Sequence, residues 1–159
     1  IPVLSNETAL ATMETAAQEN GFKPVIISSA IYDTADTTIN KFRRSSHGKT
    51  AIMGGGETSI AVTKTGKGGR CQFLALRFLS ALGSGEVFAA AASDGLDNSD
   101  AAGALVDTET LTKADGLNLD PLTYLADYNP YDFFKNTNDL IFTGPTGANV
   151  ADLMLLLKE

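Results

Sequence analysis

Hydrophobic and polar positions along this chain fall into blocks that predict strands and helices in turn. Residues 1–4 form an apolar run that reads as a short strand, with Ser5 or Asn6 as the N-cap of a helix behind it. Ala9, Leu10, Met13, Ala16 and Ala17 recur at helical spacing, and Gly21 ends that helix. The run 24–28 predicts a strand and 34–46 a polar second helix. Two strands, about 50–53 and 59–63, are expected to bracket a turn at 54–58. A helix over 71–82 should bury Leu74, Leu76, Phe78, Leu79 and Leu82.

Two further strand–loop–helix units complete the pattern. Strand 86–92 runs into SDGLDNSD and a helix beginning at Ala101; strand 139–142 runs into TGPTGAN and a terminal helix over 150–158. Between them, 115–137 reads as a loop, a short helix within NLDPLTYLADY, and a turn at Asn129-Pro130. No internal repeat or low-complexity linker interrupts the series. The alternation predicts an α/β layered domain with a mixed, largely parallel sheet flanked by helices. In open sheets of this kind the loops leaving the strand ends share one edge, and ligands bind there. The turn at 54–58 is expected near the same rim.

Composition narrows the function more than the fold. A chain of 159 residues, 43% hydrophobic, suits one domain spanning 1–159. No apolar run reaches the ~18 residues a membrane span needs. The opening IPVLSN is neither a Met start nor a secretory leader, and the expectation is one domain of a longer polypeptide. A net charge of -7 argues against a nucleic-acid surface, though a few local cations or backbone N–H groups still suffice for a phosphorylated ligand. One Cys and one His exclude an internal disulfide and a Cys/His zinc set. The expected location is cytoplasmic, which makes the sequon Asn6-Glu7-Thr8 incidental.

Four loops carry candidate chemistry. In GKGGR, Gly68 and Gly69 let a ligand approach backbone N–H groups at a helix start, Lys67 is a mobile point charge, and Arg70 is a planar fork for carboxylate or phosphate. The plainer reading is a tight turn with solvated cations, but an arginine at a helix N-terminus opposes the helix dipole and suits an anion nearby. In SDGLDNSD, Asp94 and Asp97 suit Mg²⁺ or a general base, while Asp100 is expected to cap the helix at Ala101. GGGET projects Glu57 from a glycine run. TGPTGAN offers Thr143, Gly144, Thr146 and Gly147, with Asn149 at the expected helix start, as ligand donors or as an ordinary capped turn.

Other signals fail on inspection. Gly48-Lys49-Thr50 ends like a P-loop, but the required first glycine is Arg43. Ser45, Ser46 and His47 have no nucleophile elbow to make a triad. Cys71 is expected on the buried side of its helix.

Taken in order, GGGET, GKGGRCQFLAL, SDGLDNSDAAGALVD and NDLIFTGPTGANVADL resemble the signature of the MOFRL domain, and SNETALATMETAAQENGFKPVII resembles its start. That domain is the C-terminal part of the glycerate 2-kinase family, some of whose members have been labelled hydroxypyruvate reductase. The resemblance implies ATP-dependent phosphorylation of D-glycerate to 2-phosphoglycerate. It implies a cleft shared with an N-terminal α/β domain that supplies a catalytic lysine. At the matching positions, Arg70 would face phosphoryl charge or the glycerate carboxylate, Asp94 would help hold Mg²⁺ or orient the accepting hydroxyl, and Glu57 would position ligand or metal. A homo-oligomer is left open.

The chain departs from the family pattern where GGRNQE is usual and GGRCQF stands: Cys71 and Phe73 replace polar groups, as do Ala148 and Ala151 in GPTGANVAD. The aspartate loop is one residue shorter. A non-catalytic binding or assembly module is therefore a second expectation. A nicotinamide-dependent reductase is a third, although no G-x-G-x-x-G follows a strand in a Rossmann setting.

Overall fold

A computed structural model describes residues 4–44 and 48–159. The elements run α1 (Asn6–Glu19), β1 (Lys23–Ile31), α2 (Ala35–Arg43), β2 (Thr50–Gly56), α3 (Arg70–Leu79), β3 (Glu86–Ala92) and β4 (Gly103–Val106). They continue with α4 (Thr108–Gly116), α5 (Pro121–Ala126), α6 (Pro130–Thr137), β5 (Leu140–Ile141) and β6 (Asp152–Lys158). Most of the expected strand 1–4, and Ser45, Ser46 and His47 at the end of the expected second helix, lie outside the described residues.

The strands form one sheet in the order β1-β2-β6-β3-β4-β5. Helix α1, capped by the Ser5 side chain, packs on β1 and β2. On the opposite face α2, α3 and α6 cover the sheet over a core built on Phe42, Phe78 and Phe88. The rings of Phe78 and Phe88 stack at 4.0 Å and that of Phe42 meets both edge-on, arrangements that add to the apolar area these rings bury.

The layered α/β fold and the mixed sheet are as expected, but the sheet is mainly antiparallel: only β1 and β2 pair in parallel. Two misread segments explain the difference. The terminal stretch is a central strand, β6, between β2 and β3, with Asp152, Met154 and Leu156 buried on one face and Leu153, Leu155 and Leu157 half-buried on the other. A strand apolar on both faces loses its alternation, and a run such as LMLLL then fits either element. The stretch after Asp100 forms β4 and closes a hairpin with β3. The helix comes later, at Thr108, where Asp107 and Thr110 make a capping box.

Residues 59–63 are not a strand either. Ser59 makes a single bridge to Thr34, and the chain runs from β2 to α3 as a long loop. Gly54 and Gly55 are strand residues rather than turn residues. Gly56 ends β2 at φ +138°, where a Cβ would lie 2.3 Å from the Ile31 carbonyl oxygen. Both the backbone conformation and the parallel β1–β2 contact exclude a side chain there. Gly56→Ala is expected to destabilise the domain by about 2 kcal/mol or more, read as a lower urea midpoint. An unchanged midpoint would remove the steric role.

This topology still gathers the polar loops. Asp152 of β6 pairs with Gly56 of β2 on one side and Ala92 of β3 on the other. The end of β2, the end of β3 and the start of the antiparallel β6 therefore share one rim. Loops 57–69, 93–102 and 142–151 meet there, although only the first enters a helix.

Candidate active site

At that rim lies a cleft of about 770 Å³, walled by the loop after β2, the start of α3 and the loop after β3. Arg70, the first residue of α3, lines it. Its Nε donates to Asp152 Oδ2 at 3.2 Å, and its Nη2 lies 3.5 Å from Glu57 Oε2. The Arg70 side chain is 41% exposed whereas that of Asp152 is 4% exposed, so the pair has a buried anchor and an open end. Partial burial works against the Arg70 cation, but the bond to Asp152 and its charge outweigh this, and the Arg70 pKa is raised. Burial likewise pushes the Asp152 carboxyl up, against the pull of Arg70.

Asp97 occupies the other side of the helix start. Gly69, the N-cap of α3, has no side chain with which to cap it. Asp97 reaches across instead: Cys71 N–H donates to Oδ1 at 3.2 Å and Gln72 N–H to Oδ2 at 2.8 Å. Gln72 Nε2 also donates to the Asp97 carbonyl and to Ser99 Oγ, tying the aspartate loop to the helix. A Cβ on Gly69 would fall 2.1 Å from Asp97 Oδ1, so the glycine makes room for the cap. Burial raises the Asp97 carboxyl to about 6 despite its two N–H donors, and the charge of Asp152 adds to the rise. Burial also pushes the Cys71 thiol well above its ordinary range, followed by the charges of Asp97 and Asp152, so the thiol stays protonated and is no nucleophile.

The structure brings Glu57, Gly68, Gly69, Arg70, Asp94, Asp97 and Asn149 to the cleft wall. Lys67 sits apart from that wall. Its Nζ is 3.3 Å from Asp100 Oδ1 and 3.4 Å from the centre of the Tyr131 ring. Asp100 is accordingly an ion-pair partner, not the cap of a helix at Ala101. Thr146 ties the last loop to the aspartate loop, its N–H donating to the Asp94 carbonyl at 3.0 Å and its hydroxyl to that of Ser93 at 2.5 Å. The Thr143 hydroxyl donates to the Gly144 carbonyl, which packs on Gly95, and Gly147 takes a positive-φ turn position. Asn149 caps no helix; its Oδ1 accepts from Ala151 N–H just ahead of β6.

Among the described residues no group of three or more His, Cys, Asp or Glu side chains is arranged to hold a metal. Both Asp97 oxygens are taken by backbone donors. Asp94 Oδ1 accepts from Leu96 N–H at 3.0 Å, and its Oδ2 has no hydrogen bond among the described residues. Asp94 thus fits a Mg²⁺ held chiefly by phosphate oxygens and one protein carboxylate better than Asp97 does, whose oxygens each already accept a backbone N–H.

Sequence reasoning missed Asp152, because a carboxylate heading an apolar run read as a polar position in a terminal helix. The departure at Cys71 falls behind the cleft, at 1% exposed. The Phe73 ring stacks on Tyr128 at 5.1 Å and lines a small cavity that adjoins the Arg70 cleft through Gly68, Gly69 and Asn98. Neither Ala148 nor Ala151 lines it.

The chain is similar to known proteins over most of its length. The D-glycerate 2-kinase of Thermotoga maritima is 41% identical over 108 residues, 66% of this chain and 26% of that protein. The glycerate 2-kinase of Pyrococcus horikoshii is 30% identical over 168 residues, 98% of this chain and 38% of that protein. The crystal structure of glycerate kinase from T. maritima superposes with a TM-score of 0.89 at 32% identity, over 98% of this chain and 41% of that one. The chain therefore spans well under half the length of these relatives. No helix among the described residues is long and apolar enough to cross a membrane. The model of the MOFRL family matches residues 50–152, which contain all three rim loops and the Arg70–Asp152 pair, and the chain belongs to that family.

Proposed function

We propose that this chain forms one wall of the active-site cleft of a glycerate 2-kinase, which transfers a phosphoryl group from MgATP to D-glycerate and yields 2-phosphoglycerate. The observation that carries this reading is Arg70, anchored through Nε and presenting its terminal nitrogens to a cleft at the sheet rim. A guanidinium so held is preorganised for the equatorial oxygens of a transferring phosphoryl group or for the substrate carboxylate. Glu57, beside Nη2, steadies the fork from the other side and offers its second oxygen to a ligand hydroxyl or a metal-bound water. Asp94 Oδ2 would take a Mg²⁺ ion or orient the accepting hydroxyl, and the ion held there would supply positive charge against the phosphates.

The charge balance supports a composite site. Glu57, Asp94, Asp97 and Asp152 share this wall with one guanidinium, a balance that repels a polyphosphate unless further cations arrive with it. Mg²⁺ and a lysine from an N-terminal α/β domain of the same polypeptide would meet that need, and this chain alone would turn over little. Cys71, Ala148 and Ala151 lie off the cleft wall, so these three departures remove no polar group from it.

The test is formation of 2-phosphoglycerate from D-glycerate and MgATP by the full-length polypeptide. Product at enzymatic rates is the expected result. A folded protein that forms none, but oxidises NADPH when given hydroxypyruvate, would replace the kinase reading with a reductase.

A further inference from the structure

We infer that Asp152 is the positioning residue for Arg70, fixing the guanidinium so that its two terminal nitrogens, and not its Nε edge, face the ligand. The rate effect of this role rests on the kinase reading; the geometry does not. Three observations carry it. Asp152 lies at the start of β6, paired on both sides through Gly56 and Ala92, which places it on a central strand of the sheet and not on a loop. Its side chain is 4% exposed and receives Arg70 Nε at 3.2 Å, a contact that uses up one edge of the fork. The opposite edge stays open to the cleft, where Nη2 has only the longer 3.5 Å approach of Glu57.

An arginine at the first turn of a helix has several rotamers available, and most would carry its head into solvent. A buried carboxylate on a neighbouring strand selects one of them before any ligand arrives. Reactive geometry is sensitive to displacements of about 1 Å, so the selection acts on turnover although Asp152 itself stays behind Arg70. The residue is 82 positions away from Arg70 in sequence, and only the central placement of β6 unites them.

The test uses the full-length polypeptide and two substitutions. Asp152→Ala removes the anchor, whereas Asp152→Asn keeps its size and one acceptor oxygen. The expected result is a fall in kcat of about 10-fold to 100-fold for Asp152→Ala, partial rescue in Asp152→Asn, and no further loss when Asp152→Ala is added to Arg70→Ala. Wild-type kcat in Asp152→Ala would overturn the inference. So would a loss that multiplies in full onto that of Arg70→Ala, which marks an independent structural effect. A second readout needs no turnover. In ¹⁵N-arginine-labelled protein the Arg70 Nε–H signal, assigned by its disappearance in Arg70→Ala, should exchange slowly with water and lose that protection in Asp152→Ala. An unchanged signal overturns the inference even if the enzyme proves not to be a kinase. Absence of phosphoglycerate with a protected, Asp152-dependent signal sinks the kinase reading alone.

Discussion

Arg70→Ala in the full-length polypeptide is expected to lower kcat for glycerate phosphorylation by about 10²-fold to 10³-fold, the usual cost of deleting one preorganised donor to developing charge. The loss should fall on kcat more than on KM if the fork meets the phosphoryl group in flight, and on KM if it grips the glycerate carboxylate in the ground state. Arg70→Lys discriminates further. A lysine ammonium is a single point charge; seated against Asp152 it cannot also present a planar pair of donors to the cleft. The lysine variant should therefore recover little of the lost rate. Steady-state kinetics with both substrates varied, alongside a thermal melt showing a folded variant, measures this. A folded Arg70→Ala enzyme at near-normal kcat would take Arg70 out of the mechanism.

The glycine-rich loops were legible in the sequence because they break the hydrophobic pattern where the chain must turn and where backbone comes close. Gly68, Gly69, Arg70 and Asp94 line the cleft for that reason. What each carboxylate does there was not legible. Asp97 reads as a loop acid suited to a metal, yet it caps a helix that begins 27 residues earlier. Asp152 reads as part of a helix, yet it anchors Arg70 from a central strand. Both roles rest on contacts between segments distant in sequence, and no local spacing encodes them.

Ala101, Ala102 and Gly103 suggested a helix start after an aspartate, and helix propensity supports that for alanine. In the fold Ala101 and Ala102 are 0–1% exposed and Gly103 is buried, and a Cβ on Gly103 would lie 1.9 Å from the Ala90 carbonyl oxygen. The small residues serve close strand approach, so packing overrides propensity. A helix at this point would have removed β4 from the edge of β3 and left β5 without its partner.

The stability of this chain should carry the signature of Asp97. Its carboxyl titrates at about 6 in the folded state, against about 3.9 in an unfolded chain. Between these values the folded state binds a proton that the unfolded state has released. Stability from this group is therefore fully present below about pH 4 and is lost as pH rises through 6, by about 3 kcal/mol in total. Asp97→Ala abolishes that dependence and leaves the N–H groups of Cys71 and Gln72 without their acceptors, at a cost of about 1–3 kcal/mol each where water cannot replace them. The variant should be less stable than wild type at neutral pH, and its deficit should be larger at pH 4 than at pH 7 by about 3 kcal/mol. Urea unfolding of both proteins at pH 4, 5, 6 and 7 reads the deficit directly. A deficit that instead grows toward pH 7 would mean that the two N–H donors and the positive end of α3 outweigh burial. Asp97 would then be held as a stable anion, and the helix start would be stabilised by charge rather than in spite of it.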